Sequence, residues 1–278
     1  MTTWLNHNGK IVEANKPLIT AGNRGFRYGD GLFETMKLAD GQITLAHYHF
    51  ERLFNDMQLL ELAIPVSFTP SFFLEQITTL CKKNGHGHTA RIRLTIFRGS
   101  GELFEAADSV PEYIIETFLL EGADGLNENG LILGVYKDVC KSIGKFACIK
   151  SNNYLPYTMA ARYAKQQRWN DSLILNSKNA VCESSIANVF IIKEGTVITP
   201  GLEESCVAGV MRRHLLATLP GLGYNVKEQT VTLTMLREAD EIFLTNAVRG
   251  IRWVRNFEDV AYTNKKITEI YHATRNTW

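Results

Sequence analysis

Three side chains far apart in the sequence carry the chemistry that this chain is best equipped to do. Lys150 follows the apolar run Phe146-Ala147-Cys148-Ile149, a setting in which an amine is more easily neutral and nucleophilic. Glu183 opens the stretch Glu183-Ser184-Ser185-Ile186-Ala187-Asn188, just after a predicted strand. A carboxylate there can pair with the nitrogen of a heteroaromatic ring. Arg52 lies far upstream, and Gly209 leads a helix start at Val210-Met211. An arginine binds phosphate through charge-assisted hydrogen bonds, and a helix start does so through its free N–H groups. An amine, a ring-nitrogen partner and a phosphate clamp are the parts that pyridoxal phosphate needs, because its ring acts as an electron sink. On these residues alone the plain alternative stays open. Lysines and arginines are usually solvated, and Arg52 lies off the apolar stripe of its helix, where it reads as a surface charge.

The elements that must position these residues are legible in outline. Asn8-Gly9 between two short apolar runs is a hairpin signal. Three glycines within seven residues, Gly25 to Gly31, read as a loop leading into an alternating strand over 32–38. Phe50, Leu53, Phe54, Met57 and Leu60 recur at helical spacing, and a second helix is predicted over 70–81. Strands are predicted over 90–98 and 113–120. Residues 121–130 are polar and glycine-rich and read as a linker. Beyond them come a strand over 131–136, a loop to Lys150, a helix over 154–167 and strands over 172–175, 189–192 and 196–198. The Gly209-led helix, strands near 226–232 and 240–246, and a helix after Thr268 complete the chain. The expected fold class is α/β (α+β) in two lobes: a small N-terminal domain over 1–120, a linker over 121–130 and a larger C-terminal domain over 131–278.

Composition narrows the function. The 278 residues are 45% hydrophobic and 21% charged, with 30 basic against 29 acidic side chains and a net charge of +1. That balance gives no support to a general nucleic-acid or anionic-membrane surface. No apolar run is long enough to cross a bilayer, and the N-terminus lacks the pattern of a signal peptide. Five scattered cysteines without a Cys-x-x-Cys pair point to a reducing, cytoplasmic setting. The His47/His49 and His86/His88 pairs lack a third ligand at a metal-site spacing, so no metal is expected. Arg98-Gly99-Ser100-Gly101 lacks the Lys-Ser/Thr ending of a nucleotide-binding P-loop, and there is no Gly-x-Ser-x-Gly elbow.

Seven motifs in order carry a family resemblance. They are Arg27-Tyr28-Gly29-Asp30-Gly31-Leu32-Phe33-Glu34-Thr35, His49-Phe50-Glu51-Arg52-Leu53, Arg98-Gly99-Ser100-Gly101, Lys150-Ser151-Asn152-Asn153-Tyr154-Leu155, Glu183-Ser184-Ser185-Ile186-Ala187-Asn188-Val189-Phe190, Gly209-Val210-Met211-Arg212 and Leu244-Thr245-Asn246-Ala247. Over nearly its whole length the chain resembles the class IV aminotransferases, the fold-type IV pyridoxal-phosphate enzymes. That resemblance implies a larger C-terminal domain built on a mixed sheet or pseudo-barrel, and a homodimer acting on a small-molecule amino substrate. It implies that Lys150 is the Schiff-base lysine and proton carrier and that Glu183 pairs with the pyridine nitrogen. Arg52 is then the phosphate clamp, with the N–H groups of Val210 and Met211 and those around Asn246 and Ala247. Val207 packs on the ring and Tyr154 joins the cofactor set. Phe33, Thr35, Lys37 and Arg98 fall where family members line the substrate pocket.

Within the family, the spacing of Lys150 to Tyr154 resembles the D-amino acid enzymes and the aminodeoxychorismate lyases more than the branched-chain enzymes. Phe33-Glu34-Thr35 resembles the lyases, in which the threonine hydroxyl relays a proton as pyruvate leaves an aromatising ring. A β-branched residue favoured in any strand is the plain alternative for Thr35. Two features depart from the common pattern. Arg249 and Arg252 follow the Thr245 motif, and the loop over 102–109 is acidic. A catalytically silent member serving as a binding protein is disfavoured by the joint retention of Lys150, Glu183 and Arg52.

Overall fold

The computed structural model describes residues 3–104, 110–120 and 125–278. Residues 105–109 of the acidic loop and 121–124 of the expected linker therefore lie outside the described residues. The chain divides into two units. One comprises Met1–Gly122 with Lys150–Asn153, and the other comprises Ala123–Ile149 with Tyr154–Trp278.

The first unit opens with a hairpin of β1 (Trp4–His7) and β2 (Lys10–Glu13). Its turn residues Asn8 and Gly9 have φ of 51° and 85°, the left-handed pair that a tight hairpin turn requires. The expected glycine loop holds a five-residue helix, α1 (Arg24–Tyr28), because Asn23 accepts the Phe26 N–H and caps it. β3 (Gly31–Ala39), β4 (Gln42–Ile43), α2 (Ala46–Leu59), α3 (Pro70–Lys83), β5 (Thr89–Phe97) and β6 (Glu112–Leu119) follow. The six strands lie in the order β2-β1-β6-β5-β3-β4. Alternation along β3 buries Leu32, Glu34, Met36 and Leu38 on one face, the face on which α2 packs. Phe33, Thr35 and Lys37 take the other. Pairing with β5 sets Thr35 opposite Arg93 and Lys37 opposite Arg91.

The second unit contains β7 (Leu131–Lys141), α4 (Leu155–Gln166), β8 (Asp171–Asn176), β9 (Val181–Ser184), β10 (Asn188–Lys193), β11 (Thr196–Thr199) and α5 (Val210–Thr218). It continues with β12 (Asn225–Glu228), α6 (Leu233–Arg237), β13 (Glu241–Asn246), β14 (Gly250–Phe257), β15 (Val260–Ala261) and α7 (Lys265–Thr274). A mixed sheet runs β12-β11-β10-β13-β14-β7-β8-β9, with β15 beside β14. Its core gathers Val135, Leu173, Val189, Ile242 and Phe257, and the Phe190 and Phe243 rings stack at 4.9 Å.

Several elements differ from the sequence reading, and the first two differences matter below. β7 does not end at Tyr136. It passes an irregularity between Tyr136 and Cys140 and pairs Lys141 with Asn176 of β8. Residues 137–141 are too polar to announce a strand, and the pairing is decided by tertiary contact. Glu183 lies inside β9, opposite Ile174, rather than after a strand. α7 begins at Lys265, and α6, capped by Thr232, was not anticipated. Among the described residues no helix is long and apolar enough to cross a membrane.

Candidate active site

In the first unit the segment carrying Lys150 is laid along the start of β3. The Lys150 carbonyl accepts the Phe33 N–H at 2.9 Å, Ser151 bridges to Leu32, and the Asn152 N–H donates to the Gly31 carbonyl at 2.9 Å. The main chain of the lysine is thereby tied to a rigid strand. Its Nζ stands 4.2 Å from the centroid of the Phe33 ring. The guanidinium of Arg93 lies 3.7 Å from the same centroid, and its Nε donates to Thr95 Oγ1 at 3.2 Å. Phe33, Thr35, Lys37, Arg91 and Arg93 therefore share one face of the sheet, with the amine at Phe33. The sequence reading missed Arg91 and Arg93. Their signal was the alternation Arg91-Ile92-Arg93-Leu94-Thr95, which sets both arginines opposite the buried isoleucine and leucine.

Arg52 is no surface charge. It is only 9% exposed, and it grips Glu34 with both arms of its fork, Nε on Oε1 at 2.7 Å and Nη2 on Oε2 at 2.6 Å. His49, one helical turn earlier, is 2.6 Å from Glu34 Oε2 through Nδ1. Burial by itself would raise the Glu34 carboxyl, but Arg52 and His49 outweigh it and hold it at about 2. Burial pushes the His49 imidazole below its ordinary value against the pull of Glu34. Asp56, one turn beyond Arg52, moves the other way. Burial lifts it to about 6, although Arg52 and a backbone hydrogen bond from Lys150 oppose the rise. The apolar stripe of α2 concealed this, because Arg52 enters the core beside the stripe on a charge pair that only β3 supplies.

Arg98 donates from Nη1 to Asp30 Oδ1 at 2.6 Å and from Nη2 to the carbonyls of Leu60 and Glu61. Arg24 takes the second Asp30 oxygen at 2.9 Å. Arg98 thus ties the loop before β3 to the end of α2.

In the second unit Glu183 is 3% exposed and surrounded by donors. Lys141 Nζ reaches Oε1 at 2.6 Å, the Tyr157 hydroxyl donates to Oε1 at 2.8 Å, and the Val207 N–H donates to Oε2 at 2.9 Å. Burial, then Glu183, pushes the Tyr157 hydroxyl far above its ordinary range. Tyr154 stacks on Tyr157 at 4.5 Å and donates to the Ser185 carbonyl. The sequence reading named Glu183, Val207 and Tyr154 but missed Lys141 and Tyr157.

The same unit offers a seat for phosphate. α5 begins at Val210 after its N-cap Gly209, which has no side chain to cap the first N–H groups, those of Val210 and Met211. A Cβ at position 209 would stand 1.8 Å from Asn188 Oδ1, so any other residue forces the Asn188 side chain or the helix start to shift. Thr245 lies opposite Asn188 across β10 and β13. Its Oγ1 is buried with no hydrogen-bond partner among the described residues. Asn246 folds its side-chain oxygen onto the Val248 and Arg249 N–H groups, at 3.1 and 2.8 Å, which shapes the turn that includes Ala247. Arg249 is exposed, and Arg252 donates to the Gly125 carbonyl at 3.2 Å. An uncapped helix start, an orphaned buried hydroxyl and a buried, donor-lined carboxylate are the donor and acceptor set that a phosphate and a pyridine nitrogen require.

The chain is similar to known proteins across this whole region. It is 33% identical over 251 residues to the aminodeoxychorismate lyase of Vibrio harveyi, covering 89% of this chain and 88% of that one. It is 28% identical over 278 residues to a D-alanine aminotransferase of Listeria innocua, covering 93% and 89%. The structure matches a branched-chain amino acid aminotransferase of Escherichia coli with a TM-score of 0.89 at 22% identity, covering 100% of this chain and 94% of that one. The model of the family "Amino-transferase class IV" matches residues 31–257, a span that holds Lys150, Arg52, Glu183 and the α5 start, and the chain belongs to that family of pyridoxal-phosphate enzymes.

Proposed function

We propose that this protein is a lyase that releases 4-aminobenzoate and pyruvate from 4-amino-4-deoxychorismate. The observation that carries this reading is the 33% identity to the Vibrio harveyi lyase over 89% of this chain and 88% of that one. Bound pyridoxal phosphate supplies an electron sink for the electrons of the bond broken at the amino-bearing carbon. Lys150 would hold the cofactor through Nζ at rest, and once the substrate amine has displaced it the freed Nζ would take the proton of that carbon. Thr35, on the Phe33 face of β3, relays a proton through Oγ1. Arg93 and Lys37 on that face suit a substrate that carries two carboxylates. Arg52, Val210, Met211 and the Asn246–Ala247 turn take the phosphate. Glu183 meets the ring nitrogen, Val207 and Tyr154 flank the ring, and Phe33 lines the substrate side with Arg98 behind it.

We also propose that the chain works as a homodimer in the cytoplasm. Its five cysteines, each a free thiol, agree with a reducing compartment. Residues 121–130 are proposed as the link between a small domain over 1–120 and a large one over 131–278.

Similarity to D-alanine aminotransferases supports a second reading, a transaminase. One assay separates the two. The purified protein, loaded with pyridoxal phosphate until its visible band is complete, is given 4-amino-4-deoxychorismate without a keto acid, and 4-aminobenzoate is followed by fluorescence. Release without a keto acid is expected, and Thr35→Ala is expected to slow it at least tenfold more than any transamination. Amino transfer from D-alanine or L-leucine to a keto acid, with no 4-aminobenzoate formed, would replace the lyase by the transaminase.

A further inference from the structure

We propose that Lys141 is a positioning residue for the cofactor, fixing Glu183 so that a single lone-pair position, on Oε2, stays open for the pyridine nitrogen. This role rests on the assignment of Glu183 to that nitrogen made above. An ionised carboxylate offers about four acceptor positions. Lys141 and Tyr157 fill both positions of Oε1, at 2.6 and 2.8 Å, and the Val207 N–H takes one on Oε2 at 2.9 Å. Rotation of the carboxylate would break three hydrogen bonds at once.

The fold delivers Lys141 to this place from an unexpected direction. β7 continues beyond its irregularity and pairs Lys141 with Asn176, while Glu183 pairs with Ile174 on the same strand, β8. Residues 174 and 176 share a face, so their partners do as well. The lysine side chain is 10% exposed, its Nζ also donates to the Ala147 carbonyl at 3.1 Å, and it lies 5.3 Å from the centroid of the Tyr157 ring. A buried carboxylate is costly unless it is paired and hydrogen-bonded. Lys141 provides that pair on the oxygen away from the open position. It thereby holds the open position on Oε2 in place to accept from the ring nitrogen.

The test compares wild type, Lys141→Met, Lys141→Arg, Glu183→Gln and Lys141→Met in a Glu183→Gln background, each loaded with pyridoxal phosphate labelled with ¹⁵N in the ring. In wild type the ring ¹⁵N signal is expected at its protonated position. In Lys141→Met it is expected to move toward the unprotonated position, the visible band to shift, and the cofactor dissociation constant to rise about tenfold or more, as loss of an outer-shell partner typically does for a bound centre. Lys141→Arg should restore all three. In the Glu183→Gln background the Met substitution should add nothing, because the two residues act as one unit. An unchanged ¹⁵N signal and band in Lys141→Met would overturn the role even if affinity fell. So would an additional effect in the Glu183→Gln background, which remains measurable if the single Met variant does not fold. An unprotonated ring nitrogen in wild type would instead overturn the assignment of Glu183, and this role with it.

Discussion

Each unit buries a charged pair among the residues proposed for the chemistry, two-armed in Arg52–Glu34 and single in Lys141–Glu183. Arg52 and Glu34 share a two-armed contact with His49 at its side. Removing one partner of such a pair strands the other in the core, which typically costs 3–5 kcal/mol. Glu34→Gln is therefore expected to lower the unfolding free energy by roughly that amount, measured by urea denaturation at pH 7. The pH dependence follows from the direction of the shift. The Glu34 carboxyl is held at about 2, below its ordinary 4.5, so its contribution is complete above pH 4.5 and is lost as pH falls toward 2. Wild type should lose about 3 kcal/mol over that window through this group alone, and the Gln variant should show a flatter acid limb. Equal acid limbs would remove Glu34 as the cause. Asp56 has the opposite sign. Raised from 3.8 to about 6, it favours the folded state when protonated, so stability falls as pH rises from about 4 to 6 and is level above that. Asp56→Asn should abolish that slope while keeping an acceptor for the Lys150 N–H; an unchanged slope between pH 4 and 6 would assign it to another group. The sequence showed the types of these residues but not their pairing. Nothing local to Arg52 distinguishes a solvated arginine from one that meets a glutamate 18 residues upstream.

At the scale of elements, legibility followed periodicity. α2 and α3 were readable because Phe50, Leu53 and Met57, and Phe73, Ile77 and Leu80, repeat at helical spacing and are buried. The first hairpin was readable because Asn8-Gly9 selects its turn. The far end of β7 was not, since Lys137-Asp138-Val139-Cys140-Lys141 carries three charges in five residues and only its last two residues pair with β8. The loss was functional as well as structural, for that end brings in Lys141. The start of α5 is the converse case, a short signal with a sharp physical meaning. Gly209→Ala would set a methyl 1.8 Å from Asn188 Oδ1, so either the side chain or the helix start must move. Overpacking of this kind costs typically 1–3 kcal/mol. Because the uncapped N–H groups of Val210 and Met211 lie one and two residues on, the expected result is a rise of tenfold or more in the dissociation constant for pyridoxal phosphate, with helix content by circular dichroism unchanged. Unaltered cofactor affinity would place the phosphate elsewhere.

For the whole molecule, each unit carries some of the residues proposed for the cofactor. Lys150 and Arg52 belong to one, and Glu183, Val207 and the α5 start belong to the other. The division itself cuts across the sequence, since Lys150–Asn153 joins the first unit while its flanks on both sides belong to the second. Composition and a linear pass along the chain cannot show such an exchange, which depends on Lys150, Ser151 and Asn152 pairing with the start of β3. A ligand that binds only the folded state stabilises by about 2.7 kcal/mol at 100 times its dissociation constant. For a chain of this size that is roughly 5–10 °C in melting temperature. Adding pyridoxal phosphate to the cofactor-free protein at that excess should shift the calorimetric transition upward by this amount. At the same cofactor concentration Lys150→Ala, altered in the first unit, and Gly209→Ala, altered in the second, should each lose a large part of the shift relative to their own cofactor-free forms. A full shift retained by either variant would remove the cofactor role assigned to the altered residue.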